Sequence, residues 1–210
     1  VTSRPWLLVA VALATIGLAL PVVATRGFTA FTTDTARAQD VARTPRPVPT
    51  VVLLDADSVA QPLVPQASAR VRIVGFVATR CVTLCAQQNG VFQLLQRELV
   101  ARGLDSEIEL VTVSFDPVWD TPRALRYFAM AQRPDPRVWR VLTPADERQL
   151  PPLLATFGIR VIREGTELVH NAALHVVSTD GRLVGIVPVD DPTAALTLAR
   201  RYVPGRAGAP

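Results

Sequence analysis

Residues 71–85, VRIVGFVATRCVTLC, are the stretch from which the rest of the chain is read. Val71 to Val77 is an apolar, β-branched run that reads as a buried central strand. A short polar turn closes it and delivers Cys81 and Cys85, the two cysteines of a 210-residue chain. If the next residues are helical, positions i and i+4 lie about 40° apart around a 3.6-residue turn, so both thiols share one face. The two sulfurs can then join in a disulfide or close on one soft metal ion. A helix N-terminus favours thiolate over thiol, which promotes both metal binding and disulfide exchange. As a structural staple the pair is poor, because the chain-entropy model assigns only ~2 kcal/mol to a loop of about five residues.

Outward from this stretch, strand and helix patterns alternate. Val51 to Leu54 and the segment around Leu63 read as a short hairpin. Cys85 to Arg102 reads as a helix with Phe92, Leu95 and Leu99 on one face and Gly103 as its stop. Ile108 to Phe115 is the next strand; Thr121 then caps a helix with Pro122 in first position and Leu125, Phe128 and Ala129 facing inward. Val138 to Leu142 is a short strand, and Asp146 to Phe157 is a helix that Pro151 and Pro152 should disturb. Ala172 to Val177, a turn at Asp180 and Gly181, and Leu183 to Val187 form a hairpin, and Pro192 to Tyr202 closes the domain as a helix. The expected fold is α/β over residues 50–204, a mixed central sheet flanked by helices with the cysteines at a strand-to-helix turn. Residues 205–210 are a tail.

Ahead of this domain, Trp6 to Ala24 carries no charge and approaches the ~30 Å hydrocarbon thickness of a bilayer. A retained N-terminal transmembrane anchor is expected over residues 1–24, with a cleaved signal segment as the alternative, Val22, Val23 and Ala24 offering small residues for cleavage. Residues 25–49, rich in Thr, Ala, Arg and Pro, read as a linker. Arg26, Arg37, Arg43 and Arg46 follow the run while Arg4 precedes it, which by positive-charge counting would hold the domain in the cytoplasm. Large domains cross largely regardless of such charge, and the expectation is an extracytoplasmic domain.

Composition removes several chemistries. All 22 basic residues are arginine, so a Schiff-base lysine, a pyridoxal-phosphate anchor and a Walker-type lysine are impossible. The net charge of +4 comes from arginines scattered among acids, with no basic stripe interleaved by aromatics, so nucleic acid is not an expected partner. Two histidines preclude imidazole clusters. His170 lies before Asn171 in what reads as a loop where a ligand can be aimed, whereas His175 lies inside the strand run LHVV and reads as a core residue. Two thiolates and one imidazole suit copper(I); zinc would require a fourth ligand, and composition leaves both open.

GFVATRCVTLC, then VSFDPVWDTP, then HNAALHVVSTDGRLV, in that order, resemble the Sco/SenC family of copper-binding, thioredoxin-fold cytochrome c oxidase assembly proteins, over residues 50 to 203. The resemblance implies a thioredoxin-like domain on the periplasmic side of the inner membrane. It implies Cys81, Cys85 and His170 as ligands of one copper ion, Cu(I) or Cu(II). Asp116 and Asp120 match the family's DPxxDTP segment, where they stabilise the loop, cap the next helix or approach the metal. Trp119 between them shields the site, meets a partner, or is a plain surface aromatic. Where family members often carry proline after each cysteine and an aromatic ahead of the first, this chain has Val82, Ala86 and Ala78.

The function so implied is a copper chaperone that helps mature the copper centre of cytochrome c oxidase. Its partners would be the copper-bearing oxidase subunit, other periplasmic copper chaperones, and thiol reductants. The alternative is a membrane-anchored thiol-disulfide oxidoreductase in which Cys81 attacks and Cys85 resolves. A peroxidase, with a thiol activated by the adjacent Arg80, comes third.

Overall fold

The computed structural model describes residues 5–25, 27, 32–65, 69–81, 84–164 and 167–205, with backbone only at 5, 7, 84, 85, 164 and 167. Contacts divide the chain into two compact units, Val1–Asp40 and Val41–Pro210.

In the first unit the apolar run forms helix α1 (Pro5–Ala24), with Trp6, Leu8, Leu13, Leu18 and Val23 exposed around it. Among the described residues no helix is long and apolar enough to cross a membrane, so the expected transmembrane anchor has no support here. Pro21 lies inside α1 and lacks the amide that would bond back one turn, and the run ahead of it covers only about 24 Å.

Within the stretch expected to be a linker, two elements form. Helix α2 (Thr33–Arg43) starts where the Thr32 hydroxyl accepts the Thr35 amide, with Asp34 in its first turn and Arg43 in its last, each favourable to the helix dipole. Val41 near its end is fully buried, and strand β1 (Arg46–Pro47) follows.

Among the described residues of the second unit, one eight-stranded sheet has the order β1-β10-β9-β4-β5-β6-β2-β3. Its centre is parallel: β4 (Val71–Val77), β5 (Ile108–Ser114) and β6 (Trp139–Pro144). Antiparallel strands flank them, β9 (Ala173–Val177) and β10 (Arg182–Pro188) on one side, and the hairpin β2 (Val52–Leu54) and β3 (Ala60–Pro62) on the other. Side chains alternate between two cores, as the strand period of two requires. Val71, Ile73, Val77, Ile108 and Leu110 meet Phe92, Leu95 and Leu99 of α3 (Leu84–Ala101), Leu125 and Phe128 of α4 (Pro122–Gln132), and Ala195, Leu196 and Ala199 of α6 (Pro192–Arg201). Val74, Phe76, Val111 and Val113 meet Val41 and, from α5 (Leu150–Phe157), Leu153 and Phe157.

A glycine sets how closely α3 lies on β4. A Cβ at Gly75 would stand 2.6 Å from the Gln88 amide and 2.8 Å from the Phe92 ring. The Gln88 amide instead donates to the Phe76 carbonyl at 3.1 Å, tying the early turns of α3 to the strand.

Three details depart from the sequence reading. Arg72, inside the apolar run, is fully buried and faces Glu109 at 3.2 Å, with Arg70 and Arg140 on the same carboxylate. The helix expected from Asp146 is two pieces, a 3-10 turn Glu147–Gln149 capped by Asp146 and then α5. Pro151 and Pro152 fall in the first turn of α5, where amides have no intrahelical acceptor to lose. Residues 161–170, for which the sequence suggested no element beyond a loop at His170, are a hairpin of β7 (Val161–Glu164) and β8 (Glu167–His170). Strands of four residues carrying Arg163, Glu164 and Glu167 show little apolar alternation.

Candidate metal centre

Cys81 follows the carboxyl end of β4, the side of an open α/β sheet on which ligands gather. Its amide closes a turn onto the Ala78 carbonyl at 3.0 Å, and the half-buried residue packs against both cores. Cys85 is in the first turn of α3, the strand-to-helix placement expected; its side chain lies outside the described set, as do Val82 and Thr83.

The turn before Cys81 is held by the segment after β5. Asp120 is fully buried, and its carboxylate accepts the Thr79 amide at 2.9 Å, the Thr79 hydroxyl, and the Ser114 hydroxyl at 2.6 Å. Burial pushes the Asp120 carboxyl up, its hydrogen bonds from Ser114 and Thr79 opposing part of that shift and nearby Asp116 adding to it. The Ser114 hydroxyl also accepts the Asp116 amide at 3.0 Å, so one side chain joins both acids. Asp116 pairs with Arg80 at 2.9 Å, and the Arg80 guanidinium lies 4.7 Å from the centroid of the Trp119 ring.

Both acids therefore stabilise the loop. The capping role open to Asp120 belongs to Thr121, whose hydroxyl accepts the Ala124 amide, as the Thr-Pro pattern predicts. Arg80 is engaged by Asp116 and stacked on Trp119, an arrangement that directs its charge to the carboxylate and so does not favour the peroxidase reading. Thr79 and Ser114 were missed by sequence reasoning, since a hydroxyl at a strand end carries no pattern of its own.

Both histidines are buried in strands, as expected for His175 and not for His170, which the sequence placed in a loop. His175 in β9 is core: its Nδ1–H donates to the Val74 carbonyl at 3.2 Å, and its ring stands edge-on to Phe76 and Phe157. His170 is the last residue of β8 and not in a loop, and it is buried. Its ring tilts against Phe115 with centroids 4.7 Å apart. Phe115 immediately precedes Asp116, so the imidazole lies beside the strand end whose next residues grip the Cys81 turn. The strand carrying His170 is anchored at its base by Asn171, whose side chain accepts the Arg160 amide at 2.7 Å and donates to the Gly158 carbonyl at 3.0 Å. Burial pushes the His170 imidazole below its ordinary value, partly opposed by a hydrogen bond with the Asn171 backbone. A neutral imidazole is the form that a metal takes.

Among the described residues no group of three or more His, Cys, Asp and Glu side chains is gathered closely enough to hold a metal. The arrangement brings together the Cys81 turn, the two acids and Phe115, with His170 packed on the last. The donor types present, thiol and neutral imidazole, fit a soft ion such as copper(I).

Residues 64–202 match the SCO1/SenC family. Among solved structures, BsSco, described with a disulfide switch and as a member of the Sco family of cytochrome c oxidase assembly proteins, is 22% identical with a TM-score of 0.62, covering 74% of this chain and 94% of that one. Copper-bound ScoI of Bradyrhizobium japonicum is 20% identical with a TM-score of 0.59, covering 74% and 99%. Copper-bound Sco1 of yeast is 14% identical with a TM-score of 0.61, covering 77% and 92%. No curated protein matches in sequence. At these identities the likeness to solved structures is one of fold.

Proposed function

This chain belongs to the SCO1/SenC family, and from that premise we propose that it is a copper chaperone serving the maturation of a cytochrome c oxidase. Copper is its cargo, one ion held by the Cys81 and Cys85 thiolates and the His170 imidazole, then passed by ligand exchange to the copper-bearing oxidase subunit. The observation that supports this reading is the position of His170, buried against Phe115 one residue before the loop that holds the Cys81 turn. An imidazole kept neutral there needs no deprotonation to bind, and two thiolates with one nitrogen suit the low coordination of copper(I).

The test is to load the reduced chain with copper and read its ligands by X-ray absorption. Two sulfurs and one nitrogen are expected, with the nitrogen lost in His170→Ala. A chain that binds no copper, or binds it without sulfur, refutes the reading.

BsSco's disulfide switch favours a second reading, thiol-disulfide exchange. The Cys81 thiolate attacks a target disulfide and releases one target thiolate. Cys85 then attacks the mixed disulfide and releases the second, leaving the target reduced and this chain oxidised until an external thiol reductant resets it. His170→Ala separates the two, because it removes a copper ligand and leaves this exchange intact.

Attachment to a membrane, with the domain on the periplasmic side, is part of the same proposal. Its support is the exposure of Trp6, Leu8, Leu13 and Leu18 on α1. Recovery of the full chain in the soluble fraction overturns it.

A further inference from the structure

We propose that the exposed face running from Val118 to Arg133, beside the Cys81 turn, is the docking surface for an acidic protein partner. The chain has a single methionine, two tyrosines and three tryptophans. Met130, Tyr127 and Trp119 all fall in this segment and are 72%, 61% and 61% exposed, with Val118 at 63%. Isolated exposed apolar residues are ordinary on a monomer. Here, however, the side-chain types that anchor protein interfaces are gathered on one short segment and turned outward.

The helix geometry explains how they share a face. Arg123, Tyr127 and Met130 stand at i, i+4 and i+7 along α4, and Trp119 lies on the turn that leads into it. Leu125 and Phe128 point the opposite way into the core. The flank toward α3 is covered, since Gln93 and Gln96 donate to the Gln132 and Arg133 carbonyls. The outer stripe is what remains for a partner.

Charge selects that partner's chemistry. Arg123, Arg126 and Arg133 are exposed along this segment. Its one acid, Asp120, is buried with its oxygens occupied by Thr79 and Ser114. The face is therefore cationic and aromatic with no exposed carboxylate of its own, complementary to an acidic surface and repelled by a basic one. It is continuous with the candidate site through Arg80, which stacks on Trp119 and is joined by its backbone to Cys81. A partner seated on Trp119 thus meets the residue adjacent to the first cysteine.

For the identity of the partner this rests on the chaperone reading, so the probe is the copper-free soluble domain of the copper-bearing oxidase subunit. Binding to the full chain is followed by surface plasmon resonance at low and high salt. Reversing Arg123→Glu with Arg126→Glu should slow association by roughly tenfold and flatten its salt dependence, because steering acts on the on-rate. Trp119→Ala should weaken affinity by about tenfold. The same two-charge reversal at Arg200 and Arg201 of α6 should change binding by less than about twofold, as it does not touch the contact. Copper loading and melting temperature of the Arg123/Arg126 variant should match the parent. Equal losses from both reversals, or none from the α4 pair, overturn the surface. A chain that binds copper yet shows no saturable binding to this domain also refutes it, whereas a chain that binds no copper refutes the proposed function instead.

Discussion

Asp120→Ala is expected to unfasten the Cys81 turn before it unfolds the domain. The carboxylate is fully buried and accepts three hydrogen bonds, two from Thr79 and one from Ser114. At about 1.5 kcal/mol for each bond to a charged acceptor, the gross loss approaches ~4–5 kcal/mol. Burying that charge is itself unfavourable, which is why its pKa is raised, and the relief offsets part of the loss. A net destabilisation of about 3 kcal/mol follows, or roughly 6–12 °C in melting temperature for a domain of this size. Hydrogen exchange at the Thr79, Arg80 and Cys81 amides should rise before exchange in β4.

Asp120→Asn supplies the pH test. With a folded pKa above the unfolded value, the parent carries a protonation advantage that is fully present below about pH 3.8 and is lost as pH rises through the folded pKa. Parent stability measured against Asp120→Asn by urea unfolding should fall over that window and be flat above it. A melting shift under about 1 °C for Asp120→Ala, with unchanged exchange at Thr79, would refute the reasoning.

Glu109→Gln should cost about 3–5 kcal/mol in denaturant unfolding, since it leaves fully buried Arg72 and its neighbours Arg70 and Arg140 without their shared carboxylate. Arg72→Met, which leaves Glu109 two arginines, should cost less than half of that. Gly75→Ala should destabilise by about 1–3 kcal/mol, because its methyl meets Gln88 and Phe92 and lifts α3 from β4. His175→Ala should lose about 2–4 kcal/mol of stability while copper stoichiometry stays unchanged; a lost copper would reassign the ligand histidine.

The architecture was legible where the chain speaks locally. Thr121 and Pro122 announce the start of α4, and Gly103, at φ 63°, the end of α3. The apolar runs of β4 and β5 announce two strands buried on both faces. Illegible were elements whose stability comes from neighbours. Helix α2 has a mostly polar sequence and is held in part by burying Val41, and the β7–β8 hairpin is held at its base through Asn171. Arg72 reads as an interruption of a strand until Glu109 is seen beside it in register.

The site divides the same way. Residue types and order along the chain were enough to nominate Cys81, Cys85 and His170, because donor chemistry is a property of the chain itself; the strand pattern marked His175 as core but did not show that His170 also ends a strand. Folding alone supplied the environment of His170 and of the Cys81 turn: burial that keeps His170 neutral against Phe115, and the grip of Asp116 and Asp120 on the turn before Cys81. Those effects join residues some 35 to 55 positions apart, and both desolvation and hydrogen bonding depend on distances that no linear spacing encodes.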